Sequence, residues 1–149
     1  YRLTAEGERL FPTRDGLLLR ELLGFLEREG HVELMERFFT EFWDRRTQEW
    51  EYRLSRAEGD DLSARLSVLQ GMLREQGFMP EIHAGAEEVV IRECNCPFPG
   101  AVEKTSLPCR LEANFIASVL GQEARRVSYI PEGHAACTYT FPLGPADPS

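Results

Sequence analysis

The hydrophobic period changes once along this chain, at Gln76-Gly77, and that change restricts the fold more than any other feature. Before it, apolar residues recur at threes and fours; after it, short β-branched runs alternate with Pro- and Gly-rich stretches. Helices and strands segregated in this way imply an α+β fold rather than alternating βαβ units. The expectation is a set of long N-terminal helices followed by a small β-β-α-β-β antiparallel sheet domain.

In the helical part, Thr4 is placed to cap a short helix that Pro12 ends. Thr13 or Asp15 can cap a second, which carries Leu17, Leu18, Leu19, Leu22, Leu23 and Leu26 as far as Gly30. From Val32 to Leu54 runs the most aromatic segment, with Met35, Phe38, Phe39, Phe42, Trp43 and Trp50 at helical spacing. A stripe this wide either packs within the domain or forms a dimer interface. Met35, Phe39, Phe42, Trp43 and Trp50 are therefore candidate dimerisation residues. Asp60 or Asp61 caps a further helix, with Leu62, Leu66, Leu69 and Leu73 in one stripe.

Beyond Gly77, residues 79–84 and 88–93 read as two strands turning at Ala84-Gly85-Ala86. Residues 97–108 contain Pro97, Pro99, Gly100 and Pro108 and read as an irregular loop. Leu111, Phe115, Ile116, Val119 and Leu120 form a helical face closed by Gly121, and residues 127–130 and 137–141 read as the last strands. The organisation expected is thus a helical linker and dimerisation region over 1–76, a cysteine-containing domain over 77–143, and a disordered tail over 144–149.

The net charge of −8 supplies no basic stripe to grip phosphates, so this part alone should bind DNA weakly or not at all. No run is long and apolar enough to span a membrane and the first residues form no signal peptide, so a cytoplasmic location is expected. There a lasting disulfide is disfavoured, which turns the four cysteines toward metal or redox chemistry.

Those cysteines are Cys94, Cys96, Cys109 and Cys137. On a continuing strand Cys94 and Cys96 would point to one face. Cys109 sits at the opening of a helix, where the dipole should lower its pKa. The spacings match neither paired zinc motifs nor ferredoxin runs, and Cys94 is the thiol most readily given to simple packing. A catalytic reading would need Cys109 with Glu112 or His134, but no base stands at a telling spacing, so no enzyme is expected.

Around these residues the chain resembles the C-terminal half of SufR-type winged-helix repressors, regulators that sense iron–sulfur clusters. The resemblance rests on Cys96-Pro97-Phe98, Cys109-Arg110-Leu111-Glu112, Leu120-Gly121 and Gly133 … Cys137-Thr138-Tyr139. The opening Tyr1-Arg2-Leu3-Thr4-Ala5-Glu6-Gly7 with Leu10-Phe11-Pro12 is similar to the strand that leaves the wing of such a DNA-binding domain. The resemblance implies a homodimeric sensor domain that reaches DNA only through an N-terminal winged helix missing from this chain. It also implies a [2Fe–2S] or [4Fe–4S] cluster on Cys96, Cys109 and Cys137. The third of the four family cysteines falls near Glu123 here, which leaves Cys94, Glu123 and His134 as candidates for the fourth ligand. A zinc site, a thiol-redox switch and a small-molecule module on the same scaffold are the alternatives.

Overall fold

In the computed structural model, which describes residues 13–144, three helices lead into a mixed region with two further helices and a four-stranded antiparallel sheet. The α+β class expected from the change of period is the class found. The short helix expected after Thr4, the wing-like opening and the tail beyond Gly144 lie outside the described residues.

Helix α1 spans Asp15–Arg28. Arg14 occupies its cap position without a side-chain bond, so neither Thr13 nor Asp15 serves as the expected cap; Asp15 instead places its charge in the first turn. Helix α2 spans Val32–Ser55 and α3 spans Leu62–Glu75. Asp61 caps α3, its Oδ1 accepting from the Ala64 amide at 2.8 Å. At the far end Gly77 adopts φ 92°, and the Phe78 and Gly77 amides donate back to the Leu73 and Arg74 carbonyls. This Schellman closure swings Phe78 into the core and converts helix into strand at the position where the sequence period changes.

Strands β1 (Pro80–Ala84) and β2 (Glu88–Glu93) follow as a hairpin. Next come a short helix α4 (Pro99–Val102), helix α5 (Leu107–Leu120), β3 (Arg125–Ser128), a 3₁₀ turn (Ile130–Glu132) and β4 (Cys137–Pro142). The expected irregular loop over 97–108 is thus partly helical. Pro99 and Pro108 both fall in first turns, where a missing amide hydrogen breaks no helical bond.

The strand order is β1-β2-β4-β3. Along β2 the inward residues are Val89, Ile91 and Glu93; along β4 they are Phe141, Tyr139 and Cys137, each directly opposite its β2 partner. Helices α2, α3 and α5 cover this face, and Trp43, Trp50, Leu69, Leu73, Phe115 and Ile116 join the sheet in one core. Position 76 therefore marks a change of secondary structure and not a division between cores. A second, smaller core holds Leu23, Met35, Phe39, Ala101 and Leu107, where α1 lies on α4. Gly100 is required there, because a Cβ on it would overlap the carbonyl of Gly16, with the Gly16 Cα only 2.7 Å away.

The aromatic stripe of α2 is consumed by this packing. Met35, Phe39, Trp43 and Trp50 are buried within the chain itself, and the half-buried Phe42 packs on the core and meets Phe98 edge-on at 5.6 Å. Their assignment to a dimer interface is corrected accordingly. The large apolar side chains left outside on these two helices are Leu17, Leu18, Leu22 and Phe25 of α1 and Val32, Leu34, Phe38 and Tyr52 of α2.

Candidate functional site

The last rung of the β2–β4 ladder pairs Glu93 with Cys137. Because side chains on directly paired residues share a face, the carboxyl and the thiol both turn inward beneath α5. From above, α5 presents Cys109 and Glu112, three residues apart and so neighbours on one helix face. The chain leaves β2 immediately after Glu93 and brings back Cys96 at the mouth of the Pro/Gly segment. Cys96, Cys109 and Cys137 are close enough for charge on one thiol to raise another: Cys109 acts on Cys96, and both act on Cys137. Three segments distant in sequence therefore meet at one buried place.

Glu93 is 1% and Glu112 5% exposed, and these are the two buried charged residues among those described. Each leaves its Oε1 without a hydrogen-bond partner. Burial pushes Glu93 up to about 7, with the facing Glu112 carboxyl and Arg126 pulling the other way. Glu112 is raised well above the carboxylate range, by burial first and then by the charge of Glu93. Two carboxyls that face each other out of water cannot both ionise, so at neutral pH the pair retains a proton.

The thiols are shifted in the same direction. Burial raises Cys96 and Cys109 and pushes Cys137 up to about 11, although the Ile130 amide donates to the Cys137 sulfur at 3.3 Å. For Cys109 this reverses the expectation of a lowered pKa. The residue is the third of α5 and buried, and a helix terminus contributes only about 0.3–1 kcal/mol, less than the loss of hydration opposing it. The Tyr129 hydroxyl facing Cys109 pulls its pKa down without overcoming burial.

Arg126 is the nearby cation. Its guanidinium lies 4.2 Å from the Tyr129 ring and 5.7 Å from the Tyr139 ring, and it reaches the Cys109 carbonyl at 3.5 Å. Burial raises the pKa of both tyrosines, and the Tyr139 hydroxyl is a further buried group without a partner. Its charge favours the ionised forms of Glu93 and Cys109, which makes it the cation that acts on this cluster of side chains.

The three candidates for a fourth ligand lie elsewhere. The strand ends at Glu93, so Cys94 does not share a face with Cys96 as expected; it sits beside the outward-facing Glu81 and Arg92. Glu123 is exposed and borders Glu88, Arg125, Thr140 and Pro142, at the opposite end of β4 from Cys137. His134 is exposed, and its Nδ1 accepts from the Tyr129 amide at 3.1 Å, bracing the 3₁₀ turn.

The groups that sequence reasoning missed are Glu93, Arg126, Tyr129 and Tyr139. Strand parity could have found two of them, since Glu93 shares the face of Val89 and Ile91, and Tyr139 that of Cys137.

Among the described residues no three His, Cys, Asp or Glu side chains stand in a ready-made arrangement for a metal ion. The donor chemistry nevertheless fits a cationic centre: three thiols, two carboxyls with orphaned oxygens, and a dry setting in which removal of protons requires positive charge. Comparison with protein-family models and with curated proteins finds no match to this chain.

Proposed function

We propose that this chain is the sensing and dimerising part of a bacterial helix-turn-helix transcriptional regulator. In this reading the buried site beneath α5 holds an iron–sulfur cluster, and a winged-helix region joined to this part binds DNA. The observation that carries the reading is the convergence of the half-buried Cys96 with the buried Cys109 and Cys137, from a loop, a helix and a strand, on one place. These are the thiols of the motif string that resembles the SufR-type repressors. When bound, an iron–sulfur cluster supplies a redox-sensitive cross-link among the segments that hold it.

The chain's own residues supply the rest. Cys109 and Cys137 are fixed by α5 and β4, whereas Cys96 belongs to the segment that continues into α4 and meets α1. Holding all three thiolates at once therefore constrains that segment relative to the sheet. Burial keeps the thiols protonated in the absence of a cation, so loading releases protons and becomes tighter as pH rises. No helix among the described residues is long and apolar enough to cross a membrane. A homodimer belongs to the same reading. Leu18, Leu22 and Phe25, at spacings of four and three on α1, form one exposed apolar stripe that a second copy could cover.

Zinc is the second reading, because thiolates with one oxygen ligand also make a tetrahedral zinc donor set. Anaerobic reconstitution with ferrous iron and sulfide, followed by visible spectroscopy and iron, sulfide and zinc analysis, tests both. The expected result is a brown protein with iron and acid-labile sulfide, and a colourless Cys109→Ala variant. Zinc near one per chain without sulfide would transfer the site to the second reading. Equal lack of metal in wild type and Cys109→Ala would sink both.

A further inference from the structure

Of the polar groups around the three thiols, Glu93 has the most central position. It is the direct cross-strand partner of Cys137, it precedes Cys96 by three residues, and it lies beneath Cys109 and Glu112 of α5. Its Oε1 has no hydrogen-bond partner, although it is among the most deeply buried side chains of the protein. An unpaired carboxyl oxygen in the core is destabilising, and hydrocarbon of the same shape would avoid that cost. The neighbouring rungs show that the fold can supply hydrocarbon there: Val89 faces Phe141, and Ile91 faces Tyr139.

We infer that Glu93 is the fourth, oxygen ligand of the metal centre formed by Cys96, Cys109 and Cys137. The inference rests on the reading of the site given above. It replaces Cys94, Glu123 and His134, each of which the fold directs elsewhere. The charge of Glu93 raises each of the three thiols, so its carboxyl belongs to the same cluster of side chains as all of them. Glu112 faces Glu93 from the helix side and is a positioning residue for it. The donor set is then three sulfurs and one oxygen, for which a higher reduction potential and a more labile cluster are expected than for four thiolates.

The test uses the protein with ferrous iron and sulfide under anaerobic conditions, and separately with Co²⁺ alone as a spectroscopic probe. Wild type, Glu93→Gln, Glu93→Cys, Cys94→Ala, Glu123→Ala and His134→Ala are compared by metal and sulfide content, charge-transfer absorption and reduction potential. Glu93→Gln is expected to hold either probe about ten-fold more weakly or worse. Glu93→Cys is expected to gain sulfur-to-cobalt absorption and to carry the cluster at a lower potential, while the other three match wild type. Glu93→Cys also decides the matter should Glu93→Gln fail to fold. If wild type loads and both Glu93 variants give its spectrum and potential, the ligand assignment alone is overturned. If a different variant of the set loses the probe instead, that residue takes the place of Glu93. If wild type takes up neither probe, the metal reading fails and the assignment with it.

Discussion

Val89–Phe141 and Ile91–Tyr139 fill the middle of the sheet's inner face mainly with hydrocarbon, whereas Glu93–Cys137 ends the same ladder with a carboxyl and a thiol. All six residues are buried and all belong to the same two strands. The hydrocarbon rungs are satisfied by packing alone, because dispersion and removal from water need no directional partner. The polar rung is not, since its oxygen and sulfur lose hydration and recover little of it. One end of the ladder thus serves stability, and the other keeps reactive groups dry at some cost to it.

The largest effect should come from emptying a middle rung. Phe141→Ala is expected to lose about 3–5 kcal/mol of unfolding free energy, read as a lower urea midpoint at unchanged slope. If it costs no more than Cys137→Ala, the contrast between the rungs is broken.

The next effect concerns pH. The folded-state pKa values of Glu93 and Glu112 lie above the ordinary value of 4.5, so their favourable contribution is complete below 4.5 and is lost as pH rises, for Glu93 through about 7. The metal-free protein should lose a few kcal/mol over that window. Glu112→Gln, which needs no proton to donate toward Glu93, should flatten the decline and raise Tm at pH 7.5. Parallel Tm-against-pH curves for wild type and variant would show that the carboxyls do not share a proton.

Cys137→Ala should cost the metal-free protein only about 1–2 kcal/mol, from a small cavity and the unpaired Ile130 amide, while abolishing iron uptake. A large stability loss with metal uptake retained would place Cys137 among the packing residues. The smallest effect is expected at Cys94, beside the outward-facing Glu81 and Arg92. Cys94→Ala should stay within about 0.5 kcal/mol of wild type and keep its metal content.

The sequence made the fold legible where periodicity and punctuation agreed. Leu62 to Leu73 form one stripe between Asp61 and Gly77, and both ends of α3 follow from those two residues. The 97–108 segment was misread because proline was taken as a breaker, although Pro99 and Pro108 sit in first turns. At the site, the three motif cysteines were legible, but their electrostatics were not. The helix dipole can be deduced from position in sequence, whereas burial depends on which elements cover the helix. The same limit explains the search for a fourth ligand among Cys94, Glu123 and His134. Neither nearness in sequence to a cysteine, as for Cys94 and His134, nor the position of a family cysteine, as for Glu123, reveals which end or face of a strand a residue occupies; strand parity does for Glu93.

The contact between Gly16 and Gly100 has a mechanical side. Backbone meets backbone there with no side chain between, so no rotamer change can absorb a displacement. The adjoining turn is clamped further by Arg20 on Glu103 and Lys104 on Glu27, both at 3.1 Å. Helix α4 lies in the stretch that links Cys96 to Cys109, and α1 carries the exposed Leu18, Leu22 and Phe25. The joint therefore leaves no side chain that can yield between α4 and α1, and the two helices meet along their backbones.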